Sequence, residues 1–251
     1  MIKNKKLLES FEKEFIRNSK TDIEQKFFIL NELYKLSKSL GKFPPKNYLE
    51  DIELDFKYAR AINGIMDLKE LIKNLAKALD RNDIKYMITG GFAILIYGEP
   101  RLTKDIDIII GLDIKGIKKL KNVIKKLNLK VIPQNPKEFV EETMVLPTID
   151  KKTGFRIDFI LSTSNYQKEA LRRAKRIEID NVEVRYVSIE DLIIHKVISG
   201  RERDLEDVRL VLIKNKRINE DYIFKWLLEF EKVLQENLIE KFKKVKKEVE
   251  R

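Results

Sequence analysis

The sequence predicts an α+β fold: a mixed β-sheet flanked by helices, with helical extensions at the N- and C-terminal ends. Two observations carry this. Apolar residues recur at helical spacing near both ends, as in Leu7, Leu8, Phe11 and Phe15. In the middle, short runs such as 105–110 and 156–161 alternate with period two and are bounded by Gly, Asn and Asp. The texture divides the chain into an N-terminal helical region at 1–65, a core at 66–187 and a C-terminal helical region at 188–251.

In the first region Ile23, Phe27, Leu30 and Leu33 continue the helical spacing, Gly41 and Pro44-Pro45 interrupt it, and a third helix is expected over 48–61. Asp67 and Glu70 form a capping-box pattern ahead of an apolar face of Leu68, Leu71, Ile72, Leu75 and Leu79. A strand at 84–89 then leads through a Gly90-Gly91 turn into a helical segment at 92–97, and a second strand covers 105–110. A basic amphipathic helix is expected over 114–127 and a short strand at 131–132. Hairpins are expected from 143–148 with 155–161, and from 176–179 with 182–187 turning at Asp180-Asn181. Ser188 and Asp191 cap a helix that stops at Gly200, and 202–213 and 220–250 continue as helices.

At 251 residues and 43% hydrophobic, the chain can bury one sizeable core. It has no cysteine, which excludes disulfides and thiolate metal sites. No secretory leader pattern follows the basic start and no apolar stretch is long enough to span a bilayer, so a cytoplasmic protein with no membrane partner is expected. The 52 basic and 41 acidic side chains leave a net charge of +11, a field that favours anionic partners such as nucleotides or nucleic acid. Ion-pair networks and solubility account for the same charges equally well.

The chemistry concentrates in residues 87–110. Gly90-Gly91 lets backbone approach a ligand closely, and the helix N-terminus behind it presents unpaired N–H groups suited to phosphate. Asp105 and Asp107, two apart on a strand, project to one face. Adjacent carboxylates repel, and a divalent cation relieves that repulsion. Alone, such a pair is as easily a solvated strand end. Asp158, in the run Arg156-Ile157-Asp158-Phe159, adds a third carboxylate if its strand neighbours 105–110; a salt bridge to Arg156 or Arg101 is the alternative. Three convergent carboxylates can hold two metal ions, one activating a hydroxyl and one binding a triphosphate.

The ordered set Gly90-Gly91, Ala93, Tyr97-Gly98, Arg101, Thr103, Asp105-Ile106-Asp107 resembles the DNA polymerase β-like nucleotidyltransferase superfamily, and within it the AbiEii-type toxin and minimal nucleotidyltransferases. The stretch 188–196 ending in His195-Lys196, then Gly200-Arg201, Asp204 and Asp207, extends the resemblance to about half the chain. The resemblance implies a nucleotidyltransferase fold and transfer of a nucleoside monophosphate from an NTP to a hydroxyl. It implies Asp105, Asp107 and Asp158 as catalytic residues and ligands of Mg²⁺ or Mn²⁺. It implies Gly90, Gly91, Arg101, Thr103, Lys196, Asp204 and Asp207 as nucleotide-binding residues, with Lys196 reaching the phosphates. Gly91 stands where many members carry Ser, so only its backbone N–H is offered there. The acceptor is expected to be tRNA or protein, with an antitoxin protein as partner; a small antibiotic-type acceptor and a non-catalytic nucleotide- or RNA-binding module are the alternatives. His195, the one histidine, reads as a packing residue ahead of a general base, and Trp226 as core ahead of a base-stacking platform.

Overall fold

The structure, a computed structural model, describes residues 3–18, 32, 35, 68–98, 103 and 105–249. An N-terminal helix α1 (Lys5–Asn18) precedes α2 (Leu68–Arg81), β1 (Tyr86–Thr89), α3 (Gly90–Tyr97) and β2 (Asp105–Ile110). There follow α4 (Ile117–Lys126), β3 (Leu129–Val131), α5 (Pro136–Thr143), β4 (Val145–Asp150), β5 (Arg156–Leu161) and α6 (Asn165–Arg173). The chain continues through β6 (Lys175–Ile179), β7 (Val182–Tyr186), α7 (Ile189–Ser199), α8 (Glu202–Lys214), α9 (Glu220–Leu234) and α10 (Leu238–Val249). The expectations for 19–31 and 48–61, and the Asp67 cap, lie outside the described residues. No described helix is long and apolar enough to cross a membrane.

A seven-stranded mixed sheet runs in the order β3-β4-β5-β2-β1-β7-β6. β2 lies antiparallel to β1 and parallel to β5, while β1 is parallel to β7. Ile106, Ile108, Ile157, Phe159 and Leu161 alternate with the acidic positions and are fully buried, so one sheet face is core. All five residues of the expected α2 stripe are buried too. The same cluster takes in Leu192, Ile193, Ile194 and Val197 of α7 and Phe242 of α10, so the C-terminal helices share this core.

Both expected hairpins form. β4 and β5 pair with Val145 opposite Ile160, and β6 and β7 meet at Asp180 and Asn181, both at positive φ, the conformation a two-residue hairpin turn requires. Three expectations change. Residues 136–143 and 165–173 form helices that the hydrophobic spacing did not single out. Their local signals are a proline at the start of α5, and in α6 a complete capping box between Ser164 and Gln167. Residues 220–250 are not one helix. Gln235 takes a left-handed conformation that ends α9, Glu231 Oε1 accepts from the Ile239 N–H, and α10 folds back against α8 and α9.

Candidate active site

The sheet register assembles the candidate carboxylates. β2 and β5 run side by side with Asp107 directly opposite Asp158 and Asp105 opposite Arg156. Thr89, at the end of β1, is opposite Asp107 on the other side. Directly paired residues share a sheet face. Thr89, Asp107 and Asp158 therefore form one row, with Asp105 and Arg156 in the adjacent row on the same face. The condition placed on Asp158 is met: its strand is the neighbour of β2.

The glycine turn is built onto this row. Gly90 has φ +66°, and a Cβ on it would stand 1.8 Å from Asp107 Oδ2. Only glycine lets the α3 N-terminus sit this close to the Asp107 carboxylate in that conformation. A Cβ on Gly91 would lie 2.8 Å from Thr103 Oγ1. Thr103 in turn donates to Asp105 Oδ1 at 2.6 Å, so it orients that carboxylate. Arg101 lies outside the described residues.

The charges are answered unevenly. No described hydrogen-bond donor reaches the Asp107 carboxylate. Desolvation, then repulsion from Asp105 and Asp158, pushes it well above the usual carboxylate value; Arg156 and Lys196 pull it back only in part. Asp158 is held by Arg156, whose Nε lies 2.9 and 3.1 Å from its two oxygens and whose second nitrogen closes a fork. Burial still wins there, raising Asp158 to about 6 against the pull of the guanidinium. The salt-bridge alternative for Asp158 is thus the arrangement found. Arg156 also reaches Glu12 of α1 at 3.2 Å. That contact was not legible in the sequence, because nothing local links a helix at residue 12 to a strand at 156.

Asp105 and Asp107 fit a divalent cation, being hard oxygen donors on one face, with no described hydrogen-bond donor on Asp107. Asp158 joins such a site only if Arg156 releases it. Among the described residues, no group of three or more His, Cys, Asp or Glu side chains is arranged to hold a metal ion.

Lys196, Asp204 and Asp207 are also brought together, but on one another. Lys196 Nζ donates to Asp204 Oδ1 at 2.6 Å and to Asp207 Oδ2 at 2.7 Å, and all three are buried. Ser199 Oγ and Arg201 Nε each donate to Asp204 Oδ2 at 2.6 Å. Burial would raise the Asp204 carboxyl, yet Lys196 and these donors hold it down to about 2. As placed, Lys196 is committed to two aspartates rather than directed at a phosphate, and the aspartates serve the lysine. His195 sits in the same helix with Nδ1 3.2 Å from Thr89 Oγ1 and its ring edge-on to Tyr166. Desolvation lowers it to about 4, so it is neutral and braces Thr89 at the end of β1. Trp226 packs against Tyr166 and Tyr222. A cleft of about 640 Å³ lies apart from the carboxylates, between α1 and α5, lined by Phe11, Glu14, Gln134, Glu138 and Phe139 among others.

A family model described as a nucleotidyltransferase of unknown function (DUF6036) matches residues 64–249. No curated protein matches the chain. Among solved structures, similarity is found to an antigenic nucleotidyltransferase-like protein from Paracoccidioides brasiliensis. It is 23% identical, covering 58% of this chain and 73% of that one at a TM-score of 0.41. The antibiotic-resistance factor ANT(2'')-Ia is 17% identical, covering 66% and 92% at 0.46. The lincosamide antibiotic adenylyltransferase LnuA is 15% identical, covering 59% and 97% at 0.41.

Proposed function

We propose, from the premise that this chain belongs to the DUF6036 family of nucleotidyltransferases, that it transfers a nucleoside monophosphate from an NTP to a hydroxyl, most simply on RNA. The observation that carries the reading is the row Thr89–Asp107–Asp158 with the Gly90 backbone set against Asp107. A binding module gains nothing from a partly desolvated carboxylate that its neighbours compensate only in part, which costs stability until a cation neutralises it.

In this reading Asp105 and Asp107 hold Mg²⁺ or Mn²⁺, which supplies charge neutralisation for the triphosphate. The N–H groups of Gly90 and Gly91, at the start of α3, face phosphate oxygens, and Thr103 keeps Asp105 in orientation. Asp158, raised to about 6, accepts the proton of the attacking hydroxyl, and Arg156 fixes its direction. The acceptor oxygen bonds to the α-phosphorus, the bond from that phosphorus to the β-phosphate bridging oxygen breaks, and pyrophosphate leaves with the electron pair. Lys196, with Asp204 and Asp207, acts from behind as a rigid charge cluster. The narrower reading, an AbiEii-like toxin acting on tRNA or on a protein and restrained by an antitoxin protein, rests on the sequence resemblance and the +11 charge.

The test is incubation with Mg²⁺, each α-labelled NTP, and total tRNA, the protein itself or an aminoglycoside as acceptor. Label should pass to RNA, and Asp107→Asn should lower the rate by at least about a hundredfold. Transfer to the small acceptor alone would move the substrate class to antibiotic-type chemistry. No transfer from any NTP would leave a nucleotide-binding module.

A further inference from the structure

The basic helix α10 spends much of its charge on ion pairs. In α10, Lys243 pairs with Glu240 and Lys246 with Glu220, while its Glu248 takes Arg209 of α8. Helix α4 is different. Its ten residues contain Lys118, Lys119, Lys121, Lys125 and Lys126 and no acid, and all five lysines are exposed. No described carboxylate pairs with any of them. The opposite face is committed: Leu120 and Val123 are buried, and Ile117 and Ile124 pack on the core. The helix is thus a rigid rod about 15 Å long with a one-sign outer face, and its apolar side is not available to enter a bilayer.

One lysine beyond the helix lies on the sheet face of the carboxylates. Past α4 the chain enters edge strand β3, where exposed Lys130 pairs opposite Ile149. Ile149 is opposite Arg156, and Arg156 opposite Asp105. Cross-strand partners share a face, so Lys130 lies on the face that carries Asp105 and Asp107. Three strand spacings separate them, roughly 14 Å.

We propose that α4 and Lys130 form the docking surface for an RNA acceptor, whose phosphate backbone lies along the lysines while its terminal hydroxyl reaches the carboxylates. This rests on the transferase reading above for the role of the hydroxyl, but not for the binding itself. A rigid row of lysines without exposed aromatic side chains recognises backbone and not base, so binding is sequence-tolerant and strongly salt-dependent.

The test is fluorescence anisotropy with labelled total tRNA, without NTP, on the full chain. The triple variant Lys118→Gln, Lys121→Gln, Lys125→Gln should bind at least about tenfold more weakly near 0.1 M salt. The slope of log affinity against log salt should shrink by about two, as for three lost single-strand contacts. The triple Lys→Arg variant should bind as wild type does. Equal binding by the Gln variant overturns the proposal, as does wild-type binding to vesicles of anionic phospholipid in preference to tRNA. Melting of the same proteins with Mn²⁺ and ATP reports on the carboxylates alone. If that shift is present while tRNA binding is unaffected by the lysine changes, the docking surface falls and the transferase reading stands. If the shift is absent while the lysines control tRNA binding, the transferase reading falls and the surface stands.

Discussion

Two groups of aspartates lie against the core, Asp204 and Asp207 buried and Asp105 and Asp107 half-buried beside buried Asp158, and their charge is answered in opposite ways. Asp204 and Asp207 share the Lys196 ammonium, and Asp204 has Ser199 and Arg201 besides. In the other group the Arg156 guanidinium lies on Asp158, Asp105 accepts from Thr103, and no described donor reaches the Asp107 carboxylate. The first group is electrostatically closed, and removing a member should cost stability. The second is open at Asp107, and removing that member should relieve strain while destroying whatever the site does. Residue type does not distinguish the groups; the supply of donors does.

The largest expected effect is on the closed group. Lys196→Met strands two buried carboxylates and should lower unfolding stability by about 3–5 kcal/mol, read by denaturant titration. A loss under about 1 kcal/mol would mean that Lys196 is not structural, and its reach to a phosphate would regain weight. Next comes the turn that supports the open group. Gly90→Ala forces a side chain into positive φ and against Asp107 Oδ2, and should cost about 1–3 kcal/mol together with most of the activity. Wild-type stability and turnover in that variant would remove Gly90 from the site.

Smaller, and of opposite sign, is Asp107→Asn in cation-free buffer. The folded protein holds the Asp107 carboxyl above its unfolded value, so this group costs stability increasingly as pH rises above that value, near 3.8. The asparagine variant should match wild type near pH 4 and melt higher than wild type at pH 7. Asp204 has the reverse sign. Held down to about 2, it contributes stability that is present above its unfolded value and lost as pH falls toward 2. Smallest is His195. Its folded value is lowered to about 4 from 6.5, so its contribution is complete above pH 6.5 and lost as pH falls toward 4. His195→Asn should flatten the melting profile within that window.

The sequence showed the open group more clearly than the closed one. Period-two alternation placed Asp105, Asp107 and Asp158 on strands, and the register then put Asp107 beside Asp158. The glycine pair was legible because positive φ and close approach leave a residue-type signature. Arg156 could be named as a partner of Asp158 because it lies two residues away on the same strand face. The mutual ion cluster of Lys196, Asp204 and Asp207 was read as separate nucleotide contacts, since i and i+8 on two successive helices meet only when the turn at Gly200 is known. Glu12 could not be read at all, since its contact depends on how α1 docks. Helices α5 and α6 were missed because eight- and nine-residue helices carry too few apolar positions for periodicity, although Pro136 and the Ser164–Gln167 box marked their starts.

The most direct test of the open group is the melting temperature of wild type, Asp107→Asn and Lys196→Arg as Mn²⁺ is added with a non-hydrolysable ATP analogue. Binding to the folded state raises stability in proportion to the logarithm of ligand over dissociation constant. Wild type and Lys196→Arg should climb by several degrees while Asp107→Asn stays flat, its higher starting point in cation-free buffer unchanged. An equal climb in all three proteins, or none in wild type, would contradict Asp105 and Asp107 as the place where the cation and the nucleotide are held.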